Sequence, residues 1–184
     1  MDKWSLFSAA ERTCTSFASK VALSFTTQED AHGVVNNFWR EVSQNAMDLA
    51  VLDWCHLYGQ RKDVLHWSKV FPEDTTFKER LLASVGTTDA EWTQYWNDMK
   101  RYRDKDVAHL EIQRITMRPA MAIAIGSTAF YFSEVQEARR RSGIAHRQMS
   151  SLHDILDIKL TKFDKQAAMA FAGTSTRRKS FLAR

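Results

Sequence analysis

Within the stretch RYRDKDVAHLE, residues 101–111, the chain brings together Arg103, Asp104 and His109. A guanidinium presents parallel donors that match a phosphate or a carboxylate, and an imidazole titrates near neutral pH, where it takes up or releases a proton. The three side chains are therefore suited to holding an anion and moving a proton beside it, or else they are the solvated edge of a structural helix. Spacing does not choose between the two. Arg61 precedes His66, Arg141 precedes His146 and Arg147 precedes His153 at similar intervals. What sets Arg103 and His109 apart is the helix that carries them.

That helix opens at TTDAEW, where Thr88 and Glu91 have the spacing of a capping box, and it is expected to run to about Met117, just before Arg118-Pro119. With Trp92 at zero and about 100° per residue, Trp96, Met99, Val107, Leu110 and Met117 fall within about 60° and form a core-facing stripe. Arg103 lies about 20° from the centre of that stripe and Asp106 about 40° to its other side, while Arg101, Lys105, Asp98, Asp104 and Glu111 take the solvated face. His109 falls on the border beside Tyr95 and Tyr102, about 9 Å further along the axis than Arg103 and about 120° around it. An arginine in an apolar stripe must be paired, because a charge buried alone is strongly unfavourable. Either Asp106 pairs with it, or the stripe opens onto a cleft or subunit interface where it meets a phosphate.

The remaining elements are read from the same kind of pattern. A first helix spans roughly Ser5 to Phe25. After the break at TTQED a second, longer one carries Val34, Phe38, Val42, Leu49 and Trp54 and stops at Gly59, and the two are expected to lie antiparallel. A connector leads to a short helix capped near Asp74 or Thr75 and closed by Gly86. Pro119 suits the first turn of a helix that is apolar on nearly every side and so belongs at the centre of a bundle, ending at RRRSG. A last helix runs from about Ile144 or Gln148 to Ala172. With only six Gly and two Pro in 184 residues, the fold class is all-α, a helical bundle of about five to six helices. One domain is expected over residues 1–173, followed by a basic, flexible tail at 174–184.

At this point the motif resembles a known family. RDKDVAHLE is similar to the arginine, polar residue, spacer and histidine motif of HEPN domains. DWCHLYGQRK, HWSKVF and YWNDMKRYRDKDVAHLE resemble the AbiU2-like branch of that superfamily, so that the likeness spans residues 30–170. The resemblance implies an all-α bundle, a homodimer with the motif helices facing one another and, in active members, a metal-independent endoribonuclease. Other members have lost catalysis and serve as binding modules. Asp104 stands where many members carry Asn, which keeps the polar character and adds a charge near the phosphate site.

RNA is cleaved without a metal when its 2′-hydroxyl attacks the adjacent phosphorus, provided one group removes the hydroxyl proton and another stabilises the added negative charge. On this resemblance His109 is the general base or acid, Arg103 holds the scissile phosphate, and Asp104 orients one of them or binds substrate. Tyr102 and Tyr95 would stack bases, with Lys105 as a further substrate contact. Two-fold symmetry would relax the angular separation of Arg103 and His109. The expected function is a toxin–antitoxin or phage-defence ribonuclease acting on RNA, with an antitoxin protein as partner and with no metal or cofactor. The alternative is a catalytically inactive dimerisation module.

Composition bounds these expectations. The four basic residues in TSTRRKSFLAR belong to the end of the chain, and of 26 basic residues the 22 that remain balance 22 acidic ones, so overall charge does not argue for a duplex-gripping face. No apolar run reaches membrane-spanning length, which excludes a membrane role, and Cys14 and Cys55 are too few for a disulfide framework, so a cytoplasmic location is expected. Three further sets have a structural explanation. His146, Ser150, His153 and Asp157 recur at helical spacing and read as a solvated face rather than a metal site. Arg139, Arg140 and Arg141 sit at a helix C-terminus, where the dipole already favours cations. Trp39, Trp54, Trp67, Trp92 and Trp96 read as core or interface anchors.

Overall fold

The computed structural model describes residues 2–28, 37–104, 119–143 and 150–181, with side chains as far as Phe171. Among these residues there are seven helices and no strand: α1 (Lys3–Thr26), α2 (Asn37–Tyr58), α3 (Trp67–Val70), α4 (Phe77–Val85), α5 (Asp89–Tyr102), α6 (Met121–Arg141) and α7 (Leu152–Phe181). The fold is an all-α bundle. No helix among the described residues is long and apolar enough to cross a membrane.

Local chemistry starts and stops most of these helices. Asp2 accepts from the Ser5 amide at 2.8 Å and opens α1. The Thr88–Glu91 capping box opens α5, with the Glu91 carboxylate accepting from the Thr88 amide at 2.8 Å. Ser151 and Asp154 form a second reciprocal pair ahead of α7, which places that start at Leu152; the earlier starts read from sequence, at 144 or 148, lie outside the described residues. Gly86 ends α4 at φ 65°, a left-handed conformation that costs glycine little. Gly59 ends α2 for a different reason: a Cβ there would stand 2.7 Å from the Cys55 carbonyl oxygen.

Two expectations are corrected. A one-turn helix, α3, forms in the connector, because the His66 side chain accepts from the Ser68 amide and so caps it. The backbone of residues 174–181 continues α7 instead of leaving it as a tail, since extending a formed helix costs far less than nucleating one. As its near-uniform apolar character predicts, α6 meets four other helices, α1, α2, α4 and α7, while α1 packs against α2, α6 and α7. Ala10, Cys14, Ala18 and Ala22, one turn apart and fully buried, make a ridge of small side chains over which neighbours approach closely. On α6, Ile123, Ile125 and Phe130 are half-buried and pack against the core.

Pairings across helices give the directions. Lys20 bonds Asp53 at 2.7 Å and Ser43 donates to the Ser24 carbonyl at 2.9 Å, so α1 and α2 are antiparallel, as the sequence indicated. Glu11 of α1 and Arg139 of α6 form a buried ion pair. At the centre, the Trp54 indole donates to Ser127 Oγ at 3.0 Å and the Tyr58 hydroxyl to the Ser127 carbonyl at 2.7 Å. Replacing Ser127 by alanine leaves the buried indole N–H without its acceptor and is expected to cost about 1–3 kcal/mol. Urea unfolding of S127A checks this, and an unchanged midpoint would contradict it.

Candidate functional site

The end of α5 carries the motif. Its buried residues are Trp92, Tyr95, Met99 and Tyr102, so the core-facing stripe is rotated toward the tyrosines relative to the one drawn from Trp92 and Trp96. The rotation moves Arg103 from the middle of the apolar face to its edge, where its side chain is 14% exposed. At Arg103 and Asp104 the helix widens into a π-type turn. Residues 105–118 lie outside the described residues, and with them His109, Lys105 and Asp106.

Arg103 is held by its own neighbour. Its Nε donates to Asp104 Oδ1 at 2.8 Å, and Nη2 lies 2.6 Å from the same oxygen. Nη1 makes no hydrogen bond to that carboxylate. Asp104 is exposed, its side chain 55% accessible, so an incoming anion competes with a solvated carboxylate rather than a buried one. On its inner side the guanidinium lies beside the Cys55 thiol of α2; burial pushes that thiol up to about 11 and Arg103 pulls it back only in part. Cys55 is therefore a neutral wall of the site, not a nucleophile.

The two tyrosines are placed differently from their expected role. Tyr95 and Tyr102 are 8% and 4% exposed, and the Tyr102 hydroxyl donates to the buried Asp48 carboxylate of α2 at 2.6 Å. Neither offers a free ring face for a base. The helical wheel set them at the border, but the packed face of α5 is rotated toward them, and for Tyr102 a hydroxyl that finds an internal acceptor lets the whole ring enter the core.

Other sequence candidates are accounted for by partners. Arg139 is buried on Glu11, and Arg140 and Arg141 share Glu137, each bonding it at 2.7 Å, so every arginine of the RRR run already has a carboxylate partner. His153 and Asp157 are exposed on α7, while His146 lies outside the described residues. A broad cleft of about 950 Å³ runs between the start of α1, the α3–α4 connection and the end of α6. Its Arg80 is engaged by Asp74 and Glu134, both at 2.5 Å, and its charges cancel internally.

A smaller cavity of about 290 Å³ was not legible as a site. It is walled by Trp67 of α3, Lys78 of α4, Trp92 and Trp96 of α5, and by Arg61 and His66 of the connector. The sequence presents these tryptophans as anchors and does not show that three of them, one from α3 and two from α5, converge beside basic side chains. His66 is buried there, and desolvation, aided by the nearby Arg61 charge, lowers its pKa to about 4. The unfolded imidazole binds a proton below about 6.5, whereas the folded one does so only near 4. Stability is therefore complete above about pH 6.5 and falls as the pH drops toward 4, by about 2–3 kcal/mol. A His66→Asn variant, which keeps a capping side chain, is expected to flatten that slope in denaturation curves run across the window; an unchanged slope would count against the buried neutral imidazole.

The fold and these contacts define the class: an all-α helical bundle with an arginine–aspartate pair at the end of a capped helix. Compared with family models, with curated proteins and with solved structures, the chain matches none of them.

Proposed function

We propose that this chain is a HEPN-like, metal-independent endoribonuclease of a toxin–antitoxin or phage-defence type. The observation that carries the reading is Arg103: a guanidinium fixed at the core's edge by Cys55 and Asp104, with its Nη1 edge clear of the Asp104 carboxylate and, among the described residues, an exposed carboxylate to displace. A donor set fixed in advance stabilises developing charge on a phosphate without reorganising during the reaction. In this reading the RNA 2′-hydroxyl gives its proton to His109 and attacks phosphorus, and the leaving 5′-oxygen is protonated in turn. Arg103 holds the non-bridging oxygens and Asp104 orients the arginine. The active form is a homodimer bringing two motif helices together in the cytoplasm, and an antitoxin protein restrains it.

A second reading, a catalytically inactive binding or dimerisation module, is favoured by one specific feature: Asp104 already neutralises Arg103. Single-stranded RNA incubated with the purified chain in excess EDTA separates the two. Cleavage leaving 2′,3′-cyclic phosphate ends, lost in Arg103→Ala and His109→Ala, supports the nuclease. Intact RNA with wild type, or equal cleavage by the variants, leaves the binding module.

A further inference from the structure

The cavity walled by Trp67, Trp92 and Trp96 combines two properties that together select a ligand. Its surfaces are aromatic and rigidly held. Trp96 donates from Nε1 to the Tyr58 carbonyl at 2.7 Å, Trp67 stacks on Phe77 at 4.9 Å and 4° between planes, and Trp92 meets Tyr58 edge-on at 5.3 Å. Its charged lining is entirely basic. Lys78 and Arg61 stand in its wall, and Lys100 lies 3.9 Å from the Trp96 ring centroid. Lys78 pairs with Asp89 outside the cavity, whereas Arg61 is exposed and forms no ion pair or hydrogen bond among the described residues.

An aromatic cage alone would suit a cation, but the basic groups repel one. A planar ring that carries an anion satisfies both features: the ring packs on indole, and the anion meets the guanidinium fork. A volume of about 290 Å³ lies at the small end of ligand sites and suits one base with its sugar better than a dinucleotide. Trp96 and Arg103 are seven residues apart on α5, so they share a face about 10 Å apart along the axis, with Lys100 between them. The row runs from stacking surface through cation to the Arg103–Asp104 pair.

We infer that this cavity is a nucleobase subsite that takes one base of a single-stranded RNA, with Arg61 on an adjoining phosphate, while a neighbouring phosphate of the same strand reaches Arg103. The assignment of RNA as the ligand rests on the proposed function; the aromatic and basic character of the cavity does not. It transfers to the tryptophans the stacking role that the buried Tyr95 and Tyr102 do not fill.

Titrating tryptophan fluorescence with a short single-stranded oligoadenylate and with adenosine monophosphate tests the subsite. Both are expected to quench, and Arg61→Gln, an exposed substitution compatible with folding, is expected to weaken each about tenfold. Trp96→Leu is expected to remove part of the quench. Where RNA is cleaved, Arg61→Gln raises KM and leaves the rate at saturation, as loss of uniform binding does. No quench by either probe, or identical affinities for wild type and Arg61→Gln, overturns the subsite. Quenching by the monophosphate alone overturns it as an RNA subsite. Binding without cleavage keeps the subsite and defeats the nuclease; cleavage with neither quench nor a KM change defeats the subsite alone.

Discussion

Alanine at Arg139 is expected to destabilise the protein by about 3–5 kcal/mol, because it removes one member of a buried ion pair. Both partners are about nine-tenths buried and tie α1 to α6 across 128 residues of sequence. The pair is costly as well as adhesive: Arg139 Nε is buried with no hydrogen-bond partner among the described residues, so the desolvation of the guanidinium is incompletely recovered. Replacing both members with apolar side chains of similar volume, Glu11→Leu with Arg139→Met, is accordingly expected to return stability to near that of wild type. A double-mutant cycle in chemical denaturation measures this. Additive losses in the double variant would show that the two residues act through separate contacts.

If the proposed nuclease reading holds, Arg103→Ala lowers RNA cleavage by about 10²–10³-fold, the usual effect of losing one fixed donor to a developing oxyanion. Lysine at the same position keeps the charge but not the fork, and should recover only part of the loss. The sharper variant is Asp104→Asn. It removes the carboxylate on which Nε and Nη2 now converge and keeps a polar side chain, so the guanidinium becomes available to phosphate. For a nuclease, Asp104→Asn is expected to lower KM for RNA. For an inactive module no cleavage appears in either form. Thermal melts accompany each variant, since Arg103 also packs beside Cys55, and a collapse of the melting temperature in Arg103→Ala alone would assign that residue to structure.

Helix limits were legible because their causes lie within a few residues. Thr88 with Glu91 and Gly86 act through bonds between near neighbours, and sequence shows such neighbours directly, whereas Pro119 falls just ahead of α6, whose N-cap is Ala120, and not in its first turn. The all-α class follows from the same local chemistry repeated along the chain. The site was legible only as a list of residue types. A helical wheel gives each side chain an angle but neither its reach nor its partner, so it set Arg103 against Asp106 and did not show that Asp104, on the wet side, folds back to bond it. Nor did it show that Tyr102 enters the core, because the acceptor that admits it, Asp48, is 54 residues away.

The amino-acid pattern alone carried the long helices, the antiparallel start of the bundle and the presence of an arginine within a core-facing stripe, which the packing then moved to that stripe's edge. Only the tertiary structure decided which polar groups meet. Trp67, Trp92 and Trp96 became walls of one basic cavity, and Arg139 became a buried tie to Glu11. Helix formation is governed by hydrogen bonds four residues apart, whereas these contacts depend on how rigid helices pack against one another, which no local pattern encodes.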